Sequence, residues 1–315
     1  MRDDEFDIPA ELLQAAASAA APALTPAALR KRFGSPSSWQ IIPGQLWRAR
    51  SGDVTLLLLI VSVAAEAVTA VPVTVDPAAA DEESLIVGSR RTALDESVTV
   101  WGGLQRQIRT EVLDRPIDDI GADVAAWVTN KSKIPPGCRA GARPASPFEL
   151  DAEVGAMVAD DVDNLASVRS WAAGLDYTPE PARPVSAVPT TKAQLLELQS
   201  RLGLSLPDVL ALVDGDRPPS TDEETLALRE VLGHEPHVRA PDRGLVVELS
   251  HPRWRPAARA FARRGNRTEP EARLAMAYEI SGASMAARQT GGQDPVWRDR
   301  VERWLQAQGL ENADL

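Results

Sequence analysis

The sequence predicts an α+β protein of several domains, with a small β-barrel or sandwich followed by a mostly α-helical C-terminal half. Two observations predict this fold class. Between residues 39 and 129, short aliphatic runs alternate with tight turns and no long helical pattern intervenes, which is typical of small antiparallel barrels and sandwiches. After residue 148, apolar residues recur instead at helical spacing, which indicates amphipathic helices.

Proline-rich stretches divide the chain, whose 315 residues exceed the usual length of one compact domain. The predicted parts are a helical N-terminal segment (1–38), a β domain (39–129), a linker (130–147), a helical segment (148–177), a proline-rich linker (178–190), a helical domain (191–250) and a basic-to-mixed helical region (251–315). Hydrophobic residues make up 44% of the chain, so we expect most of it to fold.

Each predicted strand is an aliphatic run bounded by turn residues. The runs are Gln45–Ala49, Val54–Val63, Ala67–Val73, Ser84–Val87 and Ser97–Val100. Ser51, Gly52 and Asp53 form the turn between the first two runs. The pattern at Ile117–Thr129 predicts a helix that closes one end of the β domain.

The helices outside the β domain are predicted from apolar spacing and from capping residues. They are Ala10–Ala20, Pro26–Phe33, residues 148–174, Thr191–Leu202, Leu206–Val213, Ser220–Leu232, Pro256–Arg264, Glu269–Gln289 and Pro295–Gln308. Between them, Leu245–Leu249 predicts a short strand because it is rich in aliphatic residues.

Composition excludes several kinds of site. With one cysteine, Cys138, and three histidines, the chain can form no intrachain disulfide and offers few ligands for a metal. No phosphate-binding loop, dinucleotide fingerprint or metal motif occurs in the sequence. We therefore expect neither a metal nor another cofactor.

The chain also lacks export and membrane signals. Its N-terminus is acidic and has no apolar signal-peptide core, and the aliphatic run Val54–Val63 is about half the length that crosses a bilayer. We expect a cytoplasmic protein without a membrane partner. A net charge of −11 argues against nonspecific nucleic-acid binding by the molecule as a whole.

Four short motifs follow one another in the β domain: Pro43-Gly44-Gln45-Leu46-Trp47, a strand ending in Val61-Ser62, Val71-Pro72-Val73-Thr74, and Gln107-Ile108-Arg109-Thr110. In this order they resemble the PemK/MazF growth-inhibitor toxins over about residues 40–128. The resemblance implies an SH3-like barrel. It also implies the activity of many family members, which is metal-independent cleavage of single-stranded RNA by an arginine after the first strand and a serine or threonine after the V-P-I-T strand.

The chain departs from this family where the catalytic arginine belongs. Its first hairpin loop is only Ser51-Gly52-Asp53 and contains no arginine. Thr74 matches the family's threonine, and Arg48, Arg50 and Arg109 are other cations that could serve catalysis, although none lies at the family's motif position. The departure favours a noncatalytic barrel.

Two tryptophans of the β domain are candidates for stacking on nucleic-acid bases. They are Trp47 and Trp101, and aromatic rings of this kind bind single strands in many proteins. The alternative is that both belong to the core or the rim of the barrel.

Four features follow one another in residues 191–233: the turn Leu202-Gly203-Leu204-Ser205, the following helix Leu206–Val213, the exit Gly215-Asp216-Arg217-Pro218-Pro219-Ser220, and the closing helix Leu226–Gly233. In this order they resemble part of the Cro/C1 (XRE) helix-turn-helix domain of phage repressors. The resemblance implies that Leu206–Val213 stands where such domains read DNA.

The charges of this region oppose DNA binding. Residues 191–233 contain four basic and eight acidic side chains, and an acidic surface repels phosphates. A helical domain that contacts proteins is therefore preferred over a DNA reader. Arg201 and Arg217 are the cations that would contact nucleic acid in the second case.

The charge reverses after residue 250. Arg255, Arg259 and Arg263 follow one another at i, i+4 and i+8 on one helical face, and Arg264 adjoins them. This arginine stripe is a candidate surface for RNA, DNA or an acidic protein. The alternative is a solvated face or pairing with acids within the chain.

These observations lead to three hypotheses of function. The preferred one is a regulatory protein derived from toxin–antitoxin parts that binds nucleic acid or protein and has a noncatalytic barrel. The second is a MazF-like endoribonuclease inhibited by its own C-terminal half, and the third is a helix-turn-helix transcriptional regulator. The toxin resemblance also implies a homodimer.

Overall fold

The computed structural model describes residues 25–131, 133–142, 149–175, 190–219, 221–233, 238, 240–288 and 296–310. The chain divides into two compact units at residues 168 and 169. The first unit contains an eight-stranded antiparallel sheet and the second is helical. The predicted α+β class is confirmed. The predicted helix Ala10–Ala20 lies outside the described residues.

In its described residues, the first unit is a sheet with three α-helices. Its elements are α1 (Pro26–Phe33), β1 (Gln45–Ser51), β2 (Val54–Val63), β3 (Ala67–Thr74), β4 (Leu85–Val87), β5 (Val98–Val100), β6 (Arg106–Arg109), β7 (Leu113–Asp119), α2 (Ala122–Asn130), β8 (Cys138–Ala140) and α3 (Glu149–Ala166). The strand order is β7-β1-β2-β3-β5-β4-β8, and β6 pairs with the first half of β3.

Each face of the sheet carries a hydrophobic core. Because successive strand residues point to opposite faces, the aliphatic run of β2 supplies Leu59 and Val61 to one core, with α2, and Leu58 and Ile60 to another, with α3. A strand covered on both sides reads as a continuous aliphatic run rather than an alternating one. This explains why β2 is the most apolar segment of the sequence.

The structure corrects the predicted helix at Ile117–Thr129. Residues up to Asp119 instead form the end of β7, which pairs with β1, and α2 begins at Ala122 after Gly121, whose φ is 102°. Three strands had no sequence prediction: β6, β7 and β8. They are short or polar and lack the aliphatic runs on which strand prediction depends. β8 falls within the predicted linker 130–147.

The second unit contains seven helices in its described residues: α4 (Lys192–Leu202), α5 (Leu206–Val213), α6 (Asp222–Leu232), α7 (Arg243–Ser250), α8 (Arg255–Gly265), α9 (Glu269–Arg288) and α10 (Trp297–Ala307). Helices α4 to α6 share a core of Leu198, Val209, Leu212, Ala227 and Leu228. Helices α7 to α10 pack around Trp254 and Met276. No helix in the described ranges is long and apolar enough to cross a membrane.

The predicted strand Leu245–Leu249 is wrong, because these residues lie in α7. Asp242 caps this helix by accepting a hydrogen bond from the Gly244 amide at 2.8 Å, and the buried Leu245 and Leu249 lie one turn apart on its inner face. The valines between them resemble a strand in sequence, but the cap and the helical spacing of the leucines determine the structure.

Candidate functional site

Two arginines face each other across the neighbouring strands β1 and β7. Arg48 of β1 lies opposite Arg115 of β7 in the antiparallel register, which places both side chains on the same face, about 4.5–5.5 Å apart at Cβ. The next residue of β1, Ala49, lies opposite Leu113, so Asp114 is the extra residue of a β-bulge. The bulge directs the Asp114 carboxylate to the Arg48 guanidinium, where Nε donates to Oδ2 at 2.6 Å.

Arg115 is a cation of this group that no sequence motif indicated. Its Nε is buried without a hydrogen-bond partner, and its side chain forms no hydrogen bond or ion pair within the part of the chain that the structure describes. Burial lowers the pKa of Arg115, and the nearby charge of Arg48 lowers it further, while Asp114 acts in the opposite direction. Only the β1–β7 register brings Arg115 to Arg48, 67 positions earlier in the chain, so no local motif could have indicated it.

The predicted catalytic threonine lies on the other face of the sheet. Arg48 lies opposite Leu57, and Leu57 opposite Val73, so these three share one face. Thr74 follows Val73 and therefore points to the opposite face. There its Oγ1 accepts a hydrogen bond from Trp101 Nε1 at 3.0 Å.

The predicted cation Arg109 lies at the far end of β3 from Thr74. Arg109 is opposite Ala67, the first residue of the strand, and Thr74 is the last. At about 3.3 Å per residue, the two positions are about 23 Å apart. Arg109 also faces Glu66, with 3.8 Å between Nη1 and Oε2. Of the four predicted catalytic residues, only Arg48 and the exposed Arg50 share one face of one strand.

Neither predicted stacking tryptophan is accessible to a base. Trp47 is fully buried, donates from Nε1 to Gln45 Oε1 at 2.9 Å and packs edge-on against Trp39. Trp101 is 3% exposed and packs against Ala79 and Val158. Both rings belong to the hydrophobic core.

The predicted nucleic-acid contacts of helices α4 to α6 are held in ion pairs. Arg201 lies 2.6 Å from Glu230, and Arg217 donates to Glu224 at 2.8 Å. Helix α5, which the sequence resemblance predicts as the DNA-reading helix, exposes two leucines: Leu206 is 41% exposed and Leu210 is 38% exposed. The solvent-facing side of this helix is thus apolar and acidic rather than basic.

The first two residues of the arginine stripe are part of an internal cluster. Arg255 Nε and Arg259 Nε each donate to Glu269 Oε2 at 3.1 Å, and Arg273 Nη2 donates to Oε1 at 2.9 Å. Burial alone would raise the pKa of Glu269, but the three arginines together lower it below its usual value. Glu269 therefore holds α8 and α9 together.

The rest of the stripe is closer to solvent. Arg263 is exposed. Arg264 donates from Nη1 to the carbonyl oxygen of Gln308 at 2.8 Å and from Nη2 to that of Gly309 at 3.3 Å. It thereby satisfies carbonyl groups at the C-terminal end of α10.

A cleft of about 550 Å³ also lies in the second unit, between the loop after α5 and helix α9. Its lining carries both signs of charge, with Arg217 and Arg267 near Asp216, Glu271 and Glu279. Burial raises the pKa of Glu279 and of Tyr278 beside it. This mixture of charges favours no anionic ligand.

The group around Arg48 can supply positive charge to an anion, and its carboxylate, Asp114, is bound by Arg48. Within the described ranges, no cluster of three or more His, Cys, Asp or Glu residues could hold a metal ion. No protein-family model matches the chain, and no curated protein matches it.

Proposed function

We propose that the chain is a regulatory interaction protein built from toxin–antitoxin parts. Its PemK/MazF-like β domain is noncatalytic, and its helix-turn-helix-like block, α4 to α6, contacts a protein partner. The observation that carries this proposal is the separation of Thr74 from Arg48 and from Arg109 by sheet face and by strand length.

RNA cleavage without a metal needs two groups at one phosphodiester. A base must accept the proton of the 2′-hydroxyl, and a cation must stabilise the charge that develops on the phosphate. Both must lie within about 3 Å of the reacting atoms. Thr74, Arg48 and Arg109 cannot meet at one phosphate in this fold, which supports a binding role for the β domain.

The second half of the proposal rests on helix α5. A DNA-reading helix offers arginine, asparagine or glutamine to base edges, whereas α5 offers Leu206, Leu210 and the exposed Asp208. Exposed leucines one turn apart on an acidic background favour a contact with another protein over a contact with phosphates.

The experiment is metal-free digestion of a long single-stranded RNA by the full chain and by residues 1–168, side by side. The fragment ends at residue 168 because the first compact unit ends there. We expect no discrete cuts by either protein. Cuts by the fragment alone, abolished by Thr74→Ala or Arg109→Ala, would instead establish the self-inhibited endoribonuclease.

A DNA-binding measurement addresses the transcriptional-regulator hypothesis. Fluorescence anisotropy of the full chain with a pool of random duplexes, before and after selection for bound sequences, separates specific from nonspecific binding. We expect no enrichment. Enrichment of one sequence, lost in Arg217→Ala and falling steeply with salt, would overturn the assignment of α5 to protein contacts.

A further inference from the structure

We infer that Arg48 and Arg115 form a binding site for a phosphate group on the sheet of the first unit. The inference goes beyond the proposed function and does not depend on a toxin–antitoxin origin, because it rests on the strand register and on the partners of the two guanidinium groups.

The strand register places two positive charges opposite each other, and a negative charge between them would stabilise the pair. Like charges directly opposite each other on neighbouring strands are destabilising, and Arg48 and Arg115 are such a pair. Within this pair, the Asp114 carboxylate binds the Nε and Nη2 groups of Arg48. The pair thus has two positive charges and one carboxylate, which is hydrogen-bonded to Arg48.

The guanidinium group of Arg115 has a hydrogen-bond donor without an acceptor. Arg115 Nε is buried with no acceptor, and the guanidinium group forms no hydrogen bond or ion pair with the residues that the structure describes. A buried donor without an acceptor is costly, and such groups in native proteins call for an explanation. A bound anion that accepts hydrogen bonds from Arg115 provides one.

The next carboxylate along this face belongs to another ion pair. Asp118 is opposite Leu46 and is bound by Arg32. The facing pair therefore combines two guanidinium groups with the one carboxylate of Asp114.

The two guanidinium groups of Arg48 and Arg115 favour phosphate as the ligand. Guanidinium groups bind phosphate oxygens through paired N–H donors. A phosphate group has several acceptor oxygens in a tetrahedral arrangement, so it can accept from Arg48 and Arg115 at the same time. The phosphate can be a phosphodiester of single-stranded RNA or a free phosphate ion, and the experiment distinguishes these two sources.

The probes are a fluorescein-labelled 12-nucleotide RNA and inorganic phosphate, each titrated with the full chain. RNA binding is followed by anisotropy and phosphate binding by calorimetry, at constant ionic strength set with chloride. The variants are Arg115→Gln and, as a matched control, Arg90→Gln, which removes an exposed arginine elsewhere in the same unit. We expect Arg115→Gln to weaken binding at least 10-fold and Arg90→Gln to change it less than 2-fold.

A second variant acts in the opposite direction. Asp114→Asn removes the carboxylate that competes for Arg48, so we expect binding to tighten several-fold. Misfolding cannot produce such a gain. Competition between phosphate and RNA identifies a phosphodiester site, and phosphate binding without RNA binding identifies a free-phosphate site.

The inference is overturned if neither probe binds, or if Arg115→Gln binds like the parent protein. These outcomes are independent of the digestion experiment. An RNA that is bound and left intact agrees with both proposals, whereas an RNA that is cut contradicts only the noncatalytic assignment.

Discussion

Glu269 accepts hydrogen bonds from three arginines, so its removal should be among the most damaging substitutions in the second unit. Glu269→Gln would replace the carboxylate that Arg255, Arg259 and Arg273 share with a neutral amide. Since Arg255 and Arg273 are buried, we expect a loss of about 2–4 kcal/mol in the free energy of unfolding. Urea denaturation followed by circular dichroism measures it.

Glu302→Gln is the matched control. The Arg298–Glu302 pair is an i,i+4 pair on α10 with both side chains about 40% exposed. Exposed pairs of this kind contribute about 0.3–0.5 kcal/mol. Equal losses in the two variants would mean that the Glu269 cluster is not an internal support of the fold.

His251 should make the second unit sensitive to acid. Burial, together with the charges of Arg253, Arg273 and Arg298, lowers its pKa from 6.5 to about 3. A histidine with a lowered pKa is neutral in the folded state, so its protonation favours unfolding. The stability it contributes is complete above pH 6.5 and is lost as the pH falls from 6.5 towards 3.

The variant His251→Asn isolates this effect. The backbone amide of Arg253 donates a hydrogen bond to His251 Nδ1 at 3.1 Å. Asparagine keeps an acceptor for this hydrogen bond but does not titrate. Between pH 7.5 and 5.5, where most carboxylates stay charged, we expect the parent protein to lose about 1 kcal/mol more than the variant. Thermal unfolding at both pH values measures this, and identical pH profiles would contradict the buried neutral state of His251.

Spacing along the sequence predicted that Arg255, Arg259 and Arg263 share a helical face, but not what that face meets. Glu269, which accepts hydrogen bonds from Arg255 and Arg259, lies beyond the end of α8. Arg115 was missed for the same reason, since it meets Arg48 only through strand pairing. Local periodicity indicates the direction of a side chain, whereas its partner depends on tertiary packing.

Among the elements, those with strong end signals were predicted best. Helices α4, α5 and α6 begin after Thr191, Ser205 and Thr221, each of which accepts a hydrogen bond from the backbone at the helix start. The three-residue strand β8 has no such signal and belongs to the sheet only because it pairs with β4. Its sequence predicts a turn, but nothing in it indicates pairing with another strand.

The turn entering β1 depends on a glycine that no other residue should replace. Gly44 has a φ of 94°, and a Cβ added there would lie 2.5 Å from the backbone carbon of Gly121. Gly52, in the β1–β2 hairpin, has a φ of 56° but nothing within 4 Å of the same added atom. The two sites share a left-handed backbone and differ in the space around it.

We therefore expect Gly44→Ala to destabilise the first unit by about 2–4 kcal/mol, from backbone strain together with overpacking. Gly52→Ala should lose only about 1 kcal/mol, from strain alone. Melting temperatures of the two variants provide the comparison. A Gly44→Ala protein as stable as Gly52→Ala would show that the Gly44–Gly121 approach does not constrain the fold.

At the scale of the whole molecule, composition and contacts divide the chain at different places. Proline-rich segments predict breaks at 130–147 and 178–190, but the boundary between the compact units lies after residue 168 of the chain. Helix α3, which follows the first of these segments, packs on the sheet through Val162 and Leu165. Proline content marks where regular structure is interrupted, whereas a folding unit is defined by the apolar surface that its parts bury together.

This difference leads to a prediction about truncation. A chain cut after residue 130 keeps seven strands but loses β8 and α3, so Leu58, Ile60 and Ile108 lose the helix that covers their core. Burial of Val158, Val162 and Leu165 against the sheet contributes on the order of 5 kcal/mol, a large part of the stability of a small domain. We expect residues 1–130 to aggregate or to bind a hydrophobic dye, and residues 1–168 to unfold cooperatively. If both fragments are monomeric and melt alike, the sheet does not need α3, and the shorter fragment becomes the proper one for the RNA digestion.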